Sequence, residues 1–313
     1  MECPRAFLAS SWQRFVRIMF NSSPRRIILF PQCNIPRENV VILTKIALLV
    51  SPDPSVLAAF DPSLSNTRDY VNQGGLSRSA IFNQVDASLR RLKTSYIDLL
   101  QIHVFDPTTP LEETMKALHD LVVAGKVRYI GASNLKAWQL AEMNHIAKIK
   151  DWTQFISIQL EHSLLYRTEV SLWGLSLTHL KLHYQEREMF SYCKFKGIGI
   201  LSYSPLMDGN LARPLGSDTP RTRYNAGRIF EKKRRESDND IIRRVEEVAK
   251  KHSLKMCQVA LEWSSLMVSS TIVGANTVLS LFCHFPSCRW CSWDSRKGSR
   301  TASSRRKLCL MKT

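Results

Sequence analysis

Residues 96–103 read YIDLLQIH, a short apolar run that ends in a histidine. Its length and apolar character predict a buried strand. A helix is predicted on each side of it: one from the N-cap Ser77 to about Lys93, and one that Pro110 opens and Gly125 ends. A strand between two helices is the unit from which parallel sheets are built.

The same alternation continues in both directions along the chain. Five further strands are predicted, at 40–45, 127–130, 155–159, 199–203 and 271–273. Helical periodicity is found at 138–149, 186–196, 241–252 and 257–266. Repeated strand–helix units imply a parallel sheet, either closed into a barrel or open.

The choice between a barrel and an open dinucleotide-binding sheet depends on a glycine motif. The open sheet carries GxGxxG at its first strand–helix turn, and this chain contains no such motif. Polar residues instead follow the carboxyl ends of successive predicted strands, where α/β barrels build their active sites. These residues are Lys45, His103, Ser133, Asn134, Gln159, Tyr203 and Ser204. The sequence therefore predicts an α/β fold, a (β/α)8 TIM barrel.

Five stretches, in order and in spacing, resemble the aldo-keto reductase superfamily. They are NVVILTK ending at Lys45, NQGGLSR ending at Arg78, YIDLLQIH, GKVRYIGASN ending at Asn134, and GIGILSYSPL ending at Leu206. The nearest branch is fungal and contains aryl-alcohol dehydrogenases and versiconal hemiacetal acetate reductase. The resemblance implies NADPH-dependent, reversible reduction of a small-molecule ketone or aldehyde in a fungal secondary-metabolite pathway, polyketide or meroterpenoid.

The resemblance also implies roles for single residues. The family reduces a carbonyl with a Tyr as general acid, a Lys that lowers the pKa of this Tyr, an Asp that pairs with the Lys, and a His that orients the carbonyl. Lys45 and His103 match the Lys and the His. Tyr203 matches an aromatic residue that stacks on the nicotinamide ring. The positions that match NADP(H)-binding residues are Ser133, Asn134, Gln159, Tyr203, Ser204, Leu206, Gly209, Gly274 and Asn276. No metal is implied.

The chain departs from the family pattern in three segments. Residues 1–44 contain neither Asp nor Tyr, so the catalytic Asp and Tyr that precede the Lys in the family have no counterpart; the first Tyr is Tyr70. The first two strand–helix units are not recognisable in 1–33, where only Ile27–Phe30 is a candidate strand. A Leu-rich insert, 168–185, separates stretches that should be nearly contiguous, and 277–313 lacks the last helix of the family.

We therefore expect an incomplete barrel over 34–276, between an atypical segment 1–33 and a basic tail 277–313. One hypothesis is that these two ends and the insert 168–185 come from mis-joined or unspliced message. The alternative is a genuine lid insertion with a degenerate N-terminus. The missing catalytic Asp and Tyr also put the activity of this form in question. The alternatives to an active reductase are a non-catalytic NADP(H)-binding barrel and an inactive truncated gene product.

The net charge of +17 is concentrated at the two ends of the chain. Residues 1–33 hold five Arg against one Glu, and residues 277–313 hold eight Lys or Arg against one Asp. The part of the chain between these ends is only mildly basic, which disfavours nucleic-acid binding. Nucleic-acid binding by the basic tail 277–313 is a third alternative. Cys288 and Cys291 have the spacing of half a zinc site, but no second Cys or His pair with suitable spacing completes it. The chain has no disulfide pattern and no apolar run long enough to span a membrane, so we expect a cytoplasmic protein. The sequence does not indicate its oligomeric state.

Overall fold

The computed structural model describes residues 36–53, 56, 58–167, 185–217, 223 and 235–274, together with the backbone of 16–19. Seven parallel strands form one sheet whose order follows the chain. They are β1 Val16–Met19, β2 Val40–Ile46, β3 Ile97–Ile102, β4 Val127–Ser133, β5 Ser157–Glu161, β6 Gly199–Tyr203 and β7 Ser270–Thr271.

Six α-helices accompany the strands in the part of the chain that the structure describes. They are α1 Arg78–Leu92, α2 Leu111–Val123, α3 Ala137–Ile149, α4 Phe190–Lys196, α5 Glu236–Lys251 and α6 Met256–Met267. One turn of π-helix, Gln185–Met189, leads into α4. The predicted start of α1 is confirmed, because the side chain of Ser77 accepts a hydrogen bond from the N–H of Ala80.

The sheet curls into a half-barrel, with each strand bonded to its neighbours in sequence. No hydrogen bond within the described ranges joins β1 to β7, so both of these strands are open edges of the sheet. The prediction of an incomplete (β/α)8 barrel is confirmed.

The two faces of the sheet bury different sets of side chains, because side chains alternate along each strand. The outer face packs against the helices and forms the largest apolar cluster, to which Ile42, Ile102, Ile130, Ile158 and Ile200 contribute. The inner face holds a smaller cluster around Leu43, Leu99 and Leu201. Its remaining inward positions are therefore available for polar groups.

The strand β1 was not predicted. Its residues pair in parallel with the first half of β2, from Val16 beside Val40 to Met19 beside Leu43. The candidate named from the sequence, Ile27–Phe30, lies outside the described residues. An exposed strand edge offers a row of backbone donors and acceptors, so a short segment can pair there without a long apolar run of its own.

The two ends of the insert 168–185 lie side by side. Nε of Arg167 donates to Oε1 of Glu186 over 2.6 Å, and its Nη2 donates to Oε2 of the same carboxylate. Residues 168–184 themselves lie outside the described part of the chain. The sequence-based expectation that Arg167 and Glu186 belong next to each other agrees with this contact.

None of the helices in the described ranges has both the length and the apolar character needed to cross a membrane.

Candidate active site

The polar strand-end residues lie on the inner face of the half-barrel. Lys45 on β2 is in register with Gln101 on β3. His103 follows β3 directly, and its N–H donates to the carbonyl of Ile46 over 2.9 Å. These contacts bring the carboxyl ends of β2 and β3 together, with His103 two residues beyond the register partner of Lys45.

Lys45 is a half-buried cation. Burial lowers the pKa of its ammonium group to about 7, because an apolar environment disfavours the charged form. Within the described ranges, no carboxylate lies within ion-pair distance of Lys45. Burial therefore disfavours the charged form of Lys45 relative to an exposed lysine.

His103 is the titratable neighbour of Lys45. Burial, and then the positive charge of Lys45, lower the pKa of its imidazole to about 3. His103 is therefore neutral at pH 7 and presents one ring N–H and one ring acceptor. A neutral imidazole in this place can donate a hydrogen bond to a carbonyl oxygen.

Asn134 links the ends of three strands. Its Nδ2 donates to the carbonyl of His103 over 3.2 Å and to Oγ of Ser133 over 3.1 Å. Its Oδ1 accepts from the hydroxyl of Tyr203 over 3.0 Å. Burial raises the pKa of that hydroxyl, so Tyr203 keeps its proton and acts as the donor.

The backbone of Asn134 has a positive φ of 55°, which Asn tolerates better than most residues. Its N–H donates to the carbonyl of Gln159 at 3.0 Å, which adds the end of β5 to the group. Gln159 and Ser133 are fully buried. Ser133, Asn134, Gln159 and Tyr203 thus meet at one edge of the sheet, as the sequence predicts.

The remaining predicted cofactor residues lie in the segment after β6 and after β7. Ser204 has a positive φ of 55° and Gly209 one of 93°. The carbonyl of Leu206 accepts from the N–H of Gly209 over 2.9 Å, which closes a tight turn. Gly274 is exposed beyond the end of β7, and Asn276 lies outside the described residues.

Two inward residues of this face were not predicted from the sequence. Gln101 is fully buried and stands two positions before His103. Glu161 is buried, stands two positions after Gln159 and pairs in register with Tyr203. The signal that could have found both is the period of two along a strand, which puts them on the same face as the predicted residues.

The hydroxyl of Tyr70 is used elsewhere, because it donates to Oγ of Ser51 over 3.0 Å. Tyr70 is the first Tyr in the chain, and no Tyr precedes Lys45. The site as described thus combines an amine, a neutral imidazole and an amide–hydroxyl group. Such a set can bind and polarise a carbonyl and hold an uncharged amide of a ligand.

Comparisons with known proteins agree with this arrangement. The model of the aldo/keto reductase family matches residues 28–281. The chain is 45% identical over 251 residues to the aldo-keto reductase AFTS1 of Alternaria alternata, which covers 78% of this chain and 64% of that protein. It is 44% identical over 248 residues to versiconal hemiacetal acetate reductase of Aspergillus parasiticus, covering 78% and 67%.

A yeast protein named as a putative aryl-alcohol dehydrogenase, AAD16 of Saccharomyces cerevisiae, is 39% identical over 246 residues, covering 78% of this chain and 67% of that protein. The chain spans 64% of the length of the first of these relatives, less than two thirds. The likeness of the chain to fungal aldo-keto reductases and aryl-alcohol dehydrogenases, expected from five short stretches, is confirmed over most of its length.

Proposed function

Because this chain belongs to the aldo/keto reductase family, we propose that it binds NADP(H) and reduces a small ketone or aldehyde, in a fungal secondary-metabolite pathway. The observation that carries the proposal is the group formed by Lys45, His103 and the Asn134–Tyr203 pair at one edge of the sheet. The reaction class, oxidoreduction between a carbonyl and an alcohol, follows from family membership.

The residues at the carboxyl edge suit the nicotinamide end of the cofactor. Its carboxamide needs one hydrogen-bond donor and one acceptor, and Ser133, Asn134 and Gln159 offer both without any charge. The ring of Tyr203 stands beside them and supplies an aromatic face. When bound, NADPH supplies the hydride that the carbonyl carbon accepts.

The protein's own residues would handle the carbonyl oxygen. His103, held neutral, would donate its ring N–H to this oxygen and orient it. Lys45 in its ammonium form would place a positive charge beside the oxygen as negative charge develops there, and would give the alkoxide a proton to form the alcohol, leaving the neutral amine. A preference for NADP(H) over NAD(H) is inferred from the resemblance that ends at Asn276.

A second function is favoured by a specific observation. The family pairs its catalytic Lys with an Asp, whereas Lys45 has no carboxylate partner in the described ranges and residues 1–44 contain no Asp. A barrel that binds NADP(H) without turning it over would keep the Asn134–Tyr203 edge and need no proton donor. Binding and turnover must therefore be measured separately.

The test uses the purified full chain. Quenching of protein fluorescence by NADPH measures binding, and loss of NADPH absorbance with benzaldehyde, and then with a simple ketone, measures reduction. We expect saturable quenching together with consumption that Lys45→Met and His103→Ala each lower by at least about a hundredfold. Binding without consumption supports the second function, and no binding contradicts both.

A control variant separates the site from the rest of the fold. Lys126 lies on a helix–strand turn and pairs with Asp86 over 2.7 Å, away from the inner face. Lys126→Met removes a lysine of the same size and should leave binding and consumption unchanged. A loss in Lys126→Met equal to that in Lys45→Met would contradict the assignment of Lys45.

A further inference from the structure

Four helices of the half-barrel end in exposed apolar side chains. The four most exposed large apolar residues of the described ranges are Phe195, 82% exposed, Leu266, 78%, Val123, 72%, and Ile149, 66%. They lie in the last turns of α4, α6, α2 and α3, respectively. Single apolar side chains scattered over a surface are ordinary, so the feature to explain is their shared place at helix ends.

These four helix ends lie at one end of the molecule. The helices α2, α3, α4 and α6 lead into β4, β5, β6 and β7, which are parallel. A helix that joins parallel strands of one sheet must run back to the amino end of the next strand. The helix ends and the loops that follow them therefore form a surface opposite the candidate active site, which we call the amino-end face.

The amino-end face is also basic. The helix dipole favours cations near helix C-termini, which explains the charge but not the apolar side chains among the cations. In the described part of the chain, the exposed acidic residues of this face are Glu38 and Asp151, whereas its exposed basic residues are Arg90, Lys93, Arg128, Lys148, Lys150, Lys194 and Lys196. Because like charges repel, two copies of this face would not bind each other.

A cavity of about 580 Å³ lies between α3 and α4. Lys148 of α3 and Lys196 of α4 line it, and His145 and Tyr192 add hydrogen-bonding groups. The acidic residue of its lining is Glu142. The cavity thus offers two ammonium groups against one carboxylate, which suits a phosphate group.

The two lysines of the cavity adjoin two of the apolar side chains. Lys148 precedes Ile149, and Lys196 follows Phe195, with its Nζ 5.2 Å from the centre of the Phe195 ring. Apolar side chains that protrude between cations are typical of surfaces that enter the interfacial layer of an anionic membrane. A nucleic acid or an acidic protein would use the charges but offers protruding apolar side chains no apolar layer to enter.

We propose that the amino-end face binds an anionic phospholipid surface, with Ile149 and Phe195 in the bilayer interface and a lipid phosphate between Lys148 and Lys196. The candidate active site, at the carboxyl ends of the strands, then faces away from the membrane. This binding needs neither NADPH nor turnover, so it is independent of the proposed reductase function.

Co-sedimentation of the purified full chain with vesicles tests the proposal. Vesicles of phosphatidylcholine alone are compared with vesicles that also contain about 30% phosphatidylserine, and we expect binding to the second kind at least about tenfold tighter. Equal binding to both kinds contradicts the proposal. The basic segments 1–33 and 277–313 add to the attraction, so the site itself is tested by comparing variants of the whole chain.

The first double variant, Lys148→Glu with Lys196→Glu, reverses the charge of the cavity. Each basic residue near an anionic surface strengthens binding by about fivefold, so we expect binding to the phosphatidylserine vesicles to weaken at least about twentyfold. Arg243→Glu with Lys251→Glu makes the same change in net charge on exposed positions of α5 and should weaken binding less than about threefold. An equal loss in both double variants would mean that net charge alone matters, and the site would be wrong.

The second double variant, Ile149→Ser with Phe195→Ser, keeps every charge. Both side chains are exposed, so the fold should tolerate the change, while loss of their insertion should weaken vesicle binding at least about tenfold. The matched control is Val71→Ser with Leu254→Ser, two exposed apolar residues in loops at the carboxyl ends of the strands, which should leave binding unchanged.

The two double variants together separate a membrane from other anionic partners. Weaker binding in both supports the proposal. A loss confined to Lys148→Glu with Lys196→Glu would show a face that attracts anions without entering a bilayer, as for an acidic protein or a nucleic acid, and overturns the proposal. Unchanged binding in both would assign the attraction to the basic ends of the chain and overturns it as well.

Discussion

The hydroxyl of Tyr203 donates to Oδ1 of Asn134 over 3.0 Å, so the end of β6 is tied to the end of β4 across the intervening strand β5. The same amide binds Ser133 and the backbone of His103 through its nitrogen. Asn134 therefore fixes the spacing of the strand ends at which we place the nicotinamide.

This bond predicts different effects for two substitutions of Tyr203. Tyr203→Phe keeps the ring and removes the hydroxyl, so we expect the free energy of unfolding to fall by about 1 kcal/mol and NADPH affinity to stay within about threefold. Tyr203→Ala also removes the ring and should weaken NADPH at least about tenfold. Denaturant unfolding and fluorescence titration measure the two quantities. Equal NADPH affinity in both variants would contradict stacking by Tyr203.

Lys45 should make stability depend on pH. Its pKa in the folded chain, about 7, is below the value of about 10.4 expected when unfolded, so between these values the unfolded chain binds more protons. Stability should therefore rise as the pH is raised from 7 to 10.

Lys45→Met removes this titration and should flatten the profile. We expect Lys45→Met to be more stable than the parent at pH 6, by an amount on the order of 5 kcal/mol at most, and similar to it near pH 10. Thermal melting at a series of pH values measures the difference. A constant difference at all pH values would show that Lys45 titrates normally in the fold.

Gly131 should be intolerant of a side chain. A Cβ there would stand 2.6 Å from Oγ and 2.9 Å from the backbone oxygen of Ser157, and the backbone atom cannot move aside. We expect Gly131→Ala to cost about 2 kcal/mol or more in denaturant unfolding.

Gly125 serves as the comparison for Gly131. It has a φ of 72° and open space where a Cβ would be. Gly125→Ala should cost only the strain of the left-handed backbone, about 1 kcal/mol. A smaller cost at Gly131 than at Gly125 would mean that Gly131 and Ser157 pack less closely than described.

The contact between Arg167 and Glu186 predicts that the insert can be removed. Replacement of 168–184 by a short Gly-Ser linker leaves both partners of the ion pair in place. We expect the melting temperature to change by less than about 5 °C, since lengthening or shortening a loop has a small entropic cost. Loss of cooperative melting in this variant would show that the insert is a necessary part of the fold.

Local signals in the sequence predicted most of the elements, but some of their ends were displaced. Ser77 and Gly125 mark helix ends by side-chain capping and by a left-handed backbone, both of which depend on adjacent residues. The predicted strand 155–159 begins two residues early, because the N–H of Phe155 donates to the side chain of Asn144 and not to a strand. Such a bond between distant residues leaves no mark on local periodicity.

The sequence predicted which residues form the site better than it predicted their hydrogen bonds and pKa values. Polar residues after strands pointed to Lys45, His103 and Asn134. The bond from Tyr203 to Asn134, and the low pKa of Lys45, arise from burial and from neighbours on other strands. The pairing of Val16–Met19 with β2 depends on a free edge, which only the folded sheet supplies.

The chain-ordered sheet has a consequence for biosynthesis. Each strand pairs with the strands before and after it in the sequence, so a growing chain can add one strand at a time to an existing edge. Lys45 on β2 is made early, whereas Tyr203 at the end of β6 is made more than 150 residues later. During that interval Lys45 is an ordinary solvated lysine, and the pKa of its ammonium group falls only when the later strands have buried it.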